Sequence, residues 1–402
     1  HFGVFGFTGC GKSNLLSNIL RRLIYHTAAT KIVVFDISAE YPFLLQDILA
    51  DRGVASKLIL ETPVENAEQL LKVIVKPRAF EKDVRSRATF TQVLSQGKVG
   101  CYVEPEALVP TYEEILAEVK GMRESSLDKP TYLNALDAIR LAIVRYMKEE
   151  KRDPADKVDE GFVDLLDREA REAVQRFQVS DRSNVYAWAT TRDQLKDRFK
   201  VAAMGRTEGE QYYTTDEIAA LLQGETRLIL LSIVEPAVIK RLAIDLTSRV
   251  LAGRKKEFQV EPLILFAFDE AQEFVPAYDQ ARGIERECTD RVEVLLRQGR
   301  KYGLGGCIAT QRIAYLNTNA LQQLHTYFVG PLPRPYDRTL VSSTFTIDQG
   351  ILEKTLEFGP GEWLLSSYIA TGIENVPIFI KADDAEQEIA SFLGRATKVA
   401  PS

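Results

Sequence analysis

The chain has 402 residues, 45% of them hydrophobic and 27% charged, with a formal net charge of −6. This is length enough for two or three domains with the composition of a folded globular protein. The acidic balance excludes an outer surface that binds nucleic acid generally, so any grip on DNA belongs on an inner face.

Cys10, Cys101, Cys288 and Cys307 are scattered without metal-ligand spacing, and only three histidines occur. This spacing argues against a zinc site or disulfide framework, and a reducing cytoplasm fits best. The longest apolar runs, Leu228 to Val234 and Leu263 to Phe268, are strand-length and far short of a membrane helix.

The chain starts at His1, and a first strand, Phe2 to Phe5, follows at once, which leads us to expect a further domain upstream. Next comes Gly6-Phe7-Thr8-Gly9-Cys10-Gly11-Lys12-Ser13, a full G-x-x-x-x-G-K-[ST] phosphate-binding loop running into an amphipathic helix with Leu15, Leu16, Ile19, Leu20 and Leu23. Glycines let backbone N–H groups curl inward onto phosphate oxygens, and the helix adds its positive end. Thr8, Gly9, Cys10, Gly11, Lys12, Ser13 and Asn14 are thus the expected ATP contacts, Lys12 reaching the β- and γ-phosphates and Ser13 the Mg²⁺. Cys10 reads as a small loop residue that is open to oxidation.

Lys31 to Ile37 and, more weakly, Lys57 to Leu60 continue the strands. From residue 77 to 223 the sequence turns charged and helix-periodic, with Leu136, Ile139, Ile143 and Met147 on one stripe, and is expected to form a mostly helical insertion. Strands resume at Arg227 to Val234, followed by a helix from Ala237 to Leu251. The strand Leu263 to Phe268 then runs into Asp269 and Glu270.

At the carboxyl edge of a parallel sheet Asp269 is placed for the Mg²⁺ shell and Glu270 for polarising the attacking water. Arg291 to Lys301 reads as a helix with Arg297 and Arg300 on one face, either solvated charges or a cation offered to a neighbour's phosphates, Arg300 first and Arg297 second. The strand Gly305 to Thr310 delivers Gln311 as the γ-phosphate sensor, with Thr310 beside it. Shorter strands follow near Tyr327 to Gly330, Glu362 to Tyr368 and Val376 to Lys381.

The expected fold is α/β: a P-loop NTPase core with a mainly parallel sheet, residues 1–76 and 224–402, interrupted by the helical insertion 77–223.

The order GFTGCGKS, FDISAEY, FAFDEAQEF and RQGRKYGLGGCIATQR resembles the HerA branch of the HerA/FtsK family of ring-forming DNA translocases. Asp36, Glu40 and Tyr41 match its second motif, with Ala39 in place of the usual glycine. The resemblance implies a RecA/FtsK-like core, a homohexamer with ATP and Mg²⁺ at each subunit boundary, and Arg300 reaching a partner's site. It also implies an upstream β-barrel, double-stranded DNA as the track, and a nuclease or other effector partner in DNA-end processing or anti-phage defence. Candidate DNA contacts are Arg192, Lys196, Arg198, Lys200 and Arg206 around Phe199, then Arg78, Lys82, Arg85 and Arg87, each also readable as a solvated charge.

Two other readings stay open: a nucleotide-loaded scaffold for an effector enzyme, and a conjugation- or secretion-type motor. The absence of N-K-x-D and L-S-G-G-Q argues against a GTPase and a cassette transporter.

Overall fold

Short apolar runs rich in β-branched and aromatic residues assemble into one mainly parallel sheet in a computed structural model that describes residues 1–104, 110–190, 211–368, 372 and 376–399. Its strands are β1 (Phe2–Phe5), β2 (Lys31–Asp36), β3 (Ser56–Leu60), β4 (Val99–Tyr102), β5 (Tyr212–Tyr213) and β6 (Leu228–Ser232). They continue with β7 (Ile264–Phe268), β8 (Leu304–Thr310), β9 (Thr326–Val329), β10 (Glu362–Ser367) and β11 (Ile378–Lys381). The order across the sheet is β11-β10-β9-β1-β8-β7-β2-β6-β3-β4-β5, antiparallel only at β9–β10 and β10–β11.

Helices cover both faces, so the central strands are apolar on both. Alternate residues feed two cores: Val33, Phe35, Ile229, Leu231, Phe266 and Phe268 pack on one face, and Ile32, Val34, Leu228, Leu230, Leu265 and Ala267 on the other. Helix α1 (Lys12–His26) lies against the second core through Leu15, Leu16, Leu20 and Ile24, while the helix Pro236–Glu257 lies against the first through Leu242, Leu246 and Val250.

Two compact units are present: residues 1–102 with 211–402, and residues 103–210. The sheet therefore extends into the stretch 77–223 that reads as helical, because β4 joins β3 and β5 joins β4 within the first unit. Both strands are too short to show a period. Gly100 marks the close packing there: a Cβ on it would lie 2.4 Å from the Tyr213 ring.

The second unit, taken by itself, packs the helices Tyr112–Glu124, Pro130–Glu149, Glu160–Arg176 and Asn184–Thr190 around a core of its own. Leu136, Ile139, Ile143 and Met147 are buried in it, as their spacing demands. Asp159 ties this unit together by accepting from Tyr146 Oη at 2.7 Å, Tyr112 Oη at 3.1 Å and the Phe162 N–H at 2.9 Å, beside Arg152 at 2.9 Å. Burial works against its charge, yet these hydrogen bonds and Arg152 hold its carboxyl below the usual range.

Candidate functional site

Four neighbouring parallel strands, β1, β8, β7 and β2, end together at one edge of the sheet. Phe5 pairs with Thr310, Phe268 with Ile308, and Phe35 with Phe268. This register brings the phosphate loop, Gln311, Asp269–Glu270 and Asp36 side by side, although Thr8 of the loop and Gln311 are 303 positions apart. Beneath the tip, Phe35 stacks on Phe268 with ring centroids 4.9 Å apart and Phe274 folds back onto Phe268 at 5.4 Å, which makes a rigid base.

The phosphate loop is shaped by its glycines. Gly11 takes φ 95° and starts α1, whose first N–H groups carry no side-chain cap and stay available to an anion. Gly6 has no room for a Cβ, which would lie 2.5 Å from Cys10 Sγ. Cys10 is tucked beneath the loop, and burial pushes its thiol up against the pull of Lys12. Its role is packing.

Lys12 is buried and acts electrostatically on Asp269. Thr8, Gly9, Gly11, Lys12, Ser13 and Asn14 line a cavity of about 1120 Å³, together with Glu40, Lys76, Arg78 and Gln311. The segment from Lys381 to Gln387 closes another side of it. Asn14 is occupied with that segment: its Nδ2 donates to the Asp383 carbonyl at 2.8 Å, and its Oδ1 accepts from the Ala385 N–H at 2.6 Å. Asn18 Nδ2 adds a bond to the Asp383 carbonyl at 2.6 Å. The side chain of Asn14 thus fixes a wall of the cavity, and nothing in the sequence near residue 14 announces a partner 369 positions away.

Glu270 sits at φ 47° in the left-handed region, an unusual conformation for a residue with a side chain. Gln311 Nε2 donates to its Oε1 at 2.5 Å, Gln272 Nε2 donates to its Oε2 at 2.9 Å, and Thr8 Oγ1 donates to Gln311 Oε1. A continuous hydrogen-bonded path therefore joins the phosphate loop to Glu270. The sequence pointed to Gln311 and Glu270; Gln272 was legible only as part of the strand-end motif.

Asp36 and Asp269 are both buried at adjacent strand tips. Burial pushes Asp36 up to about 6, against hydrogen bonds from Ser232 Oγ at 2.9 Å and the Tyr41 and Glu40 N–H groups. Burial likewise drives Asp269 well above the carboxylate range, and Asp36 and Glu270 add to the effect while Lys12 opposes it. Lys12 leaves these acids short of positive charge.

A divalent cation fits that deficit. Ser13 and Asp269 would hold Mg²⁺, and no group of three or more His, Cys, Asp or Glu among the described residues forms a cage of its own. Such a donor set suits an ion that keeps water and phosphate ligands.

Ala39 lies at φ 55°, in the conformation that favours glycine, and its carbonyl accepts from the Val75 N–H at 2.8 Å. The turn is kept with alanine in it.

The arginines are placed differently from the expectation. The α-helix Ile284–Gln298 ends before Arg300, which lies in the following 3₁₀ turn Gly299–Tyr302, so Arg297 and Arg300 belong to different elements. Arg297 pairs with Glu293 at 3.6 Å. Arg300 precedes β8 and thus sits at the opposite end of the sheet from the phosphate loop, exposed and without an ion-pair partner among the described residues.

Of the candidate DNA contacts, Arg192, Lys196, Arg198, Lys200 and Arg206 lie outside the described residues. Arg78 lines the nucleotide cavity, Arg85 pairs with Asp83, Arg87 pairs with Glu68 at 3.5 Å, and Lys82 is exposed.

Residues 1–180 match the family described as "Helicase HerA, central domain". This part of the chain is similar to that central domain. The match contains the phosphate loop and Asp36, while Asp269, Glu270 and Gln311 lie beyond it. A "probable helicase" of Methanocaldococcus jannaschii is 20% identical over 389 residues, 95% of this chain and 62% of that protein. The chain thus spans less than two thirds of the length of that relative.

Among solved structures, VirB4 of Thermoanaerobacter pseudethanolicus is similar at 14% identity and a TM-score of 0.46, covering 97% of this chain and 90% of that one. The genome packaging NTPase B204 from Sulfolobus turreted icosahedral virus 2, in complex with ATP-gammaS, is similar at 14% identity and a TM-score of 0.30, covering 42% and 71%. The parts gathered at the strand tips are those of a P-loop ATPase, with a site built for a nucleotide. No helix among the described residues is long and apolar enough to cross a membrane.

Proposed function

We propose that the chain is the motor core of a ring-shaped ATPase that moves on double-stranded DNA. The observation that carries this reading is the meeting of Lys12, Asp269, Glu270 and Gln311 at the tips of adjacent strands in a chain whose residues 1–180 match the HerA central domain.

In the proposed reaction Lys12 and the loop N–H groups hold the β- and γ-phosphates of ATP, and Ser13 and Asp269 hold Mg²⁺. When bound, Mg²⁺ neutralises the charge that builds on the phosphate oxygens. Glu270 accepts a proton from the attacking water, and Gln311 orients that water and senses the γ-phosphate through Thr8. Arg300 cannot serve its own site from the far end of the sheet, so it acts on the site of a neighbouring subunit, as a homohexamer would allow.

Few phosphate contacts per subunit suffice when several subunits line one channel, which reconciles a net charge of −6 with a DNA track. A nuclease or other effector would use the motion, in DNA-end processing or defence against phage. A scaffold that merely holds nucleotide has no need of a carboxylate and an amide bonded to each other beside the phosphate loop.

The test is the steady-state ATPase rate of the protein with and without linear duplex DNA, read alongside its mass in solution with ATP. Duplex DNA is expected to raise the rate of the assembled ring. An assembled ring whose rate ignores DNA would overturn the translocase reading.

A further inference from the structure

Two tips of the sheet meet at Gln272, a residue that lies two positions beyond Glu270 and outside the phosphate loop. Its surroundings fix the direction of every hydrogen bond it makes. The Arg312 N–H, which can only donate, gives its proton to Thr310 Oγ1 at 2.9 Å. The single hydroxyl proton of buried Thr310 is then free to go to Gln272 Oε1, at 2.6 Å. With its carbonyl oxygen so engaged, the Gln272 amide must turn its NH₂ toward Glu270 Oε2, at 2.9 Å. The opposite carboxylate oxygen receives the Gln311 amide at 2.5 Å.

A carboxylate held on one oxygen alone still swings about its last torsion; one held on both does not. Each oxygen keeps a lone pair for water, so the hold orients Glu270 without blocking it.

We infer that Gln272, set by Thr310, is a positioning residue that aims the Glu270 carboxylate at the attacking water. The two amides divide the work. Gln311 is tied to the phosphate loop through Thr8 and lines the nucleotide cavity, so an arriving γ-phosphate competes for it. Gln272 is tied through the Thr310 hydroxyl to the Arg312 N–H in the turn beyond β8, and it is not among the residues that line the cavity. It holds the aim of Glu270 while Gln311 exchanges partners. The inference rests on the ATPase reading of the same site.

The experiment compares kcat, KM and ATP affinity in the full chain for Gln272→Ala, Gln272→Glu, Thr310→Val and Thr310→Ser. Gln272 is half-buried, so its replacement leaves the core intact. Misaiming a reacting group costs up to about 100-fold, and the expected loss in kcat for Gln272→Ala and Gln272→Glu is roughly 10- to 100-fold, with KM and ATP affinity unchanged. Thr310→Val is expected to fall in the same way, Thr310→Ser to retain the wild-type rate, and the double variant Gln272→Ala/Thr310→Val to be no worse than Gln272→Ala alone.

Wild-type kcat in Gln272→Glu would overturn the relay, as would additive losses in the double variant. A loss of ATP affinity equal to the loss of kcat would assign Gln272 to binding and overturn it as well. A wild-type protein that binds ATP and never turns it over would overturn the ATPase reading, and the relay with it.

Discussion

The two ends of the sheet carry opposite charge and handle it differently. At the carboxyl end of the strands, Asp36 and Asp269 are buried side by side, with Glu270 next to them and Lys12 the cation that acts on Asp269. At the amino end, Lys31, Arg227 and Arg254 gather, and backbone carbonyls absorb them. Lys31 donates to Gly224, Arg227 to Thr27 at 2.6 Å and Thr30 at 3.3 Å, and Arg254 to Pro262 at 2.7 Å.

Neutral dipoles take up most of the charge at the amino end, although Nε and Nη1 of Arg254 find no partner among the described residues. Acids left short of positive charge mark the carboxyl end as the place where a ligand completes the structure. Arg300 is the exception at the amino end: exposed, it is free to complete a site elsewhere.

That exception gives the largest expected effect. A cation supplied to a neighbour's phosphates is worth roughly 10³-fold or more in kcat, so Arg300→Ala should lose turnover on that scale while binding ATP normally. Mixing Arg300→Ala with Lys12→Ala subunits should restore part of the rate, because the proposed ring would then contain boundaries where an intact loop faces an intact arginine. Full activity in Arg300→Ala would reduce the amino end to a structural role.

Lys12→Ala comes next. Loss of a charge-assisted contact to phosphate, about 1.5–3 kcal/mol, weakens ATP binding roughly 10- to 100-fold, measurable by titration with a fluorescent analogue.

Stability tests the contrast from the other direction. Asp269→Asn should abolish turnover and yet stabilise the nucleotide-free protein by about 1–3 kcal/mol near neutral pH, since it removes an undercompensated buried charge. The sign follows from the raised pKa: below the usual carboxylate range Asp269 is protonated in both folded and unfolded chains, and above it the wild type pays increasingly to fold. The gap in Tm between variant and wild type should therefore widen from pH 5 to pH 8; a constant gap would break the account of the acids. The matching change at the amino end, Arg254→Met, removes a guanidinium whose Nε and Nη1 find no partner among the described residues. It should shift stability by no more than about 1 kcal/mol and leave ATP turnover alone.

Ala39→Gly is the smallest of these. Relief of a left-handed alanine should raise stability by about 1 kcal/mol in a denaturant titration.

Much of this site was legible in the sequence because its parts are local. A phosphate loop announces itself in eight residues, and a buried strand ending in Asp269–Glu270 carries its own direction. The helical stripe through Leu136, Ile139, Ile143 and Met147 was equally local. What escaped was set by distant partners. Asn14 lines the nucleotide cavity, but its side-chain bond to the segment around Asp383 could not be read from the sequence, and Gln272 acquires a role only when β8 brings Thr310 alongside. Strands β4 and β5 are too short for a period to appear within charged surroundings. Arg297 and Arg300 share a face only if the helix continues, and it stops at Gln298.

The most direct test of the strand-tip site is single-turnover ATP hydrolysis by Glu270→Gln, with ATP binding measured on the same sample. A positioned general base contributes about 10²- to 10⁴-fold, so hydrolysis should fall by at least roughly 100-fold while ATP binds as tightly as to the wild type. Hydrolysis at the wild-type rate in that variant would contradict the assignment of Glu270 and of the site built around it.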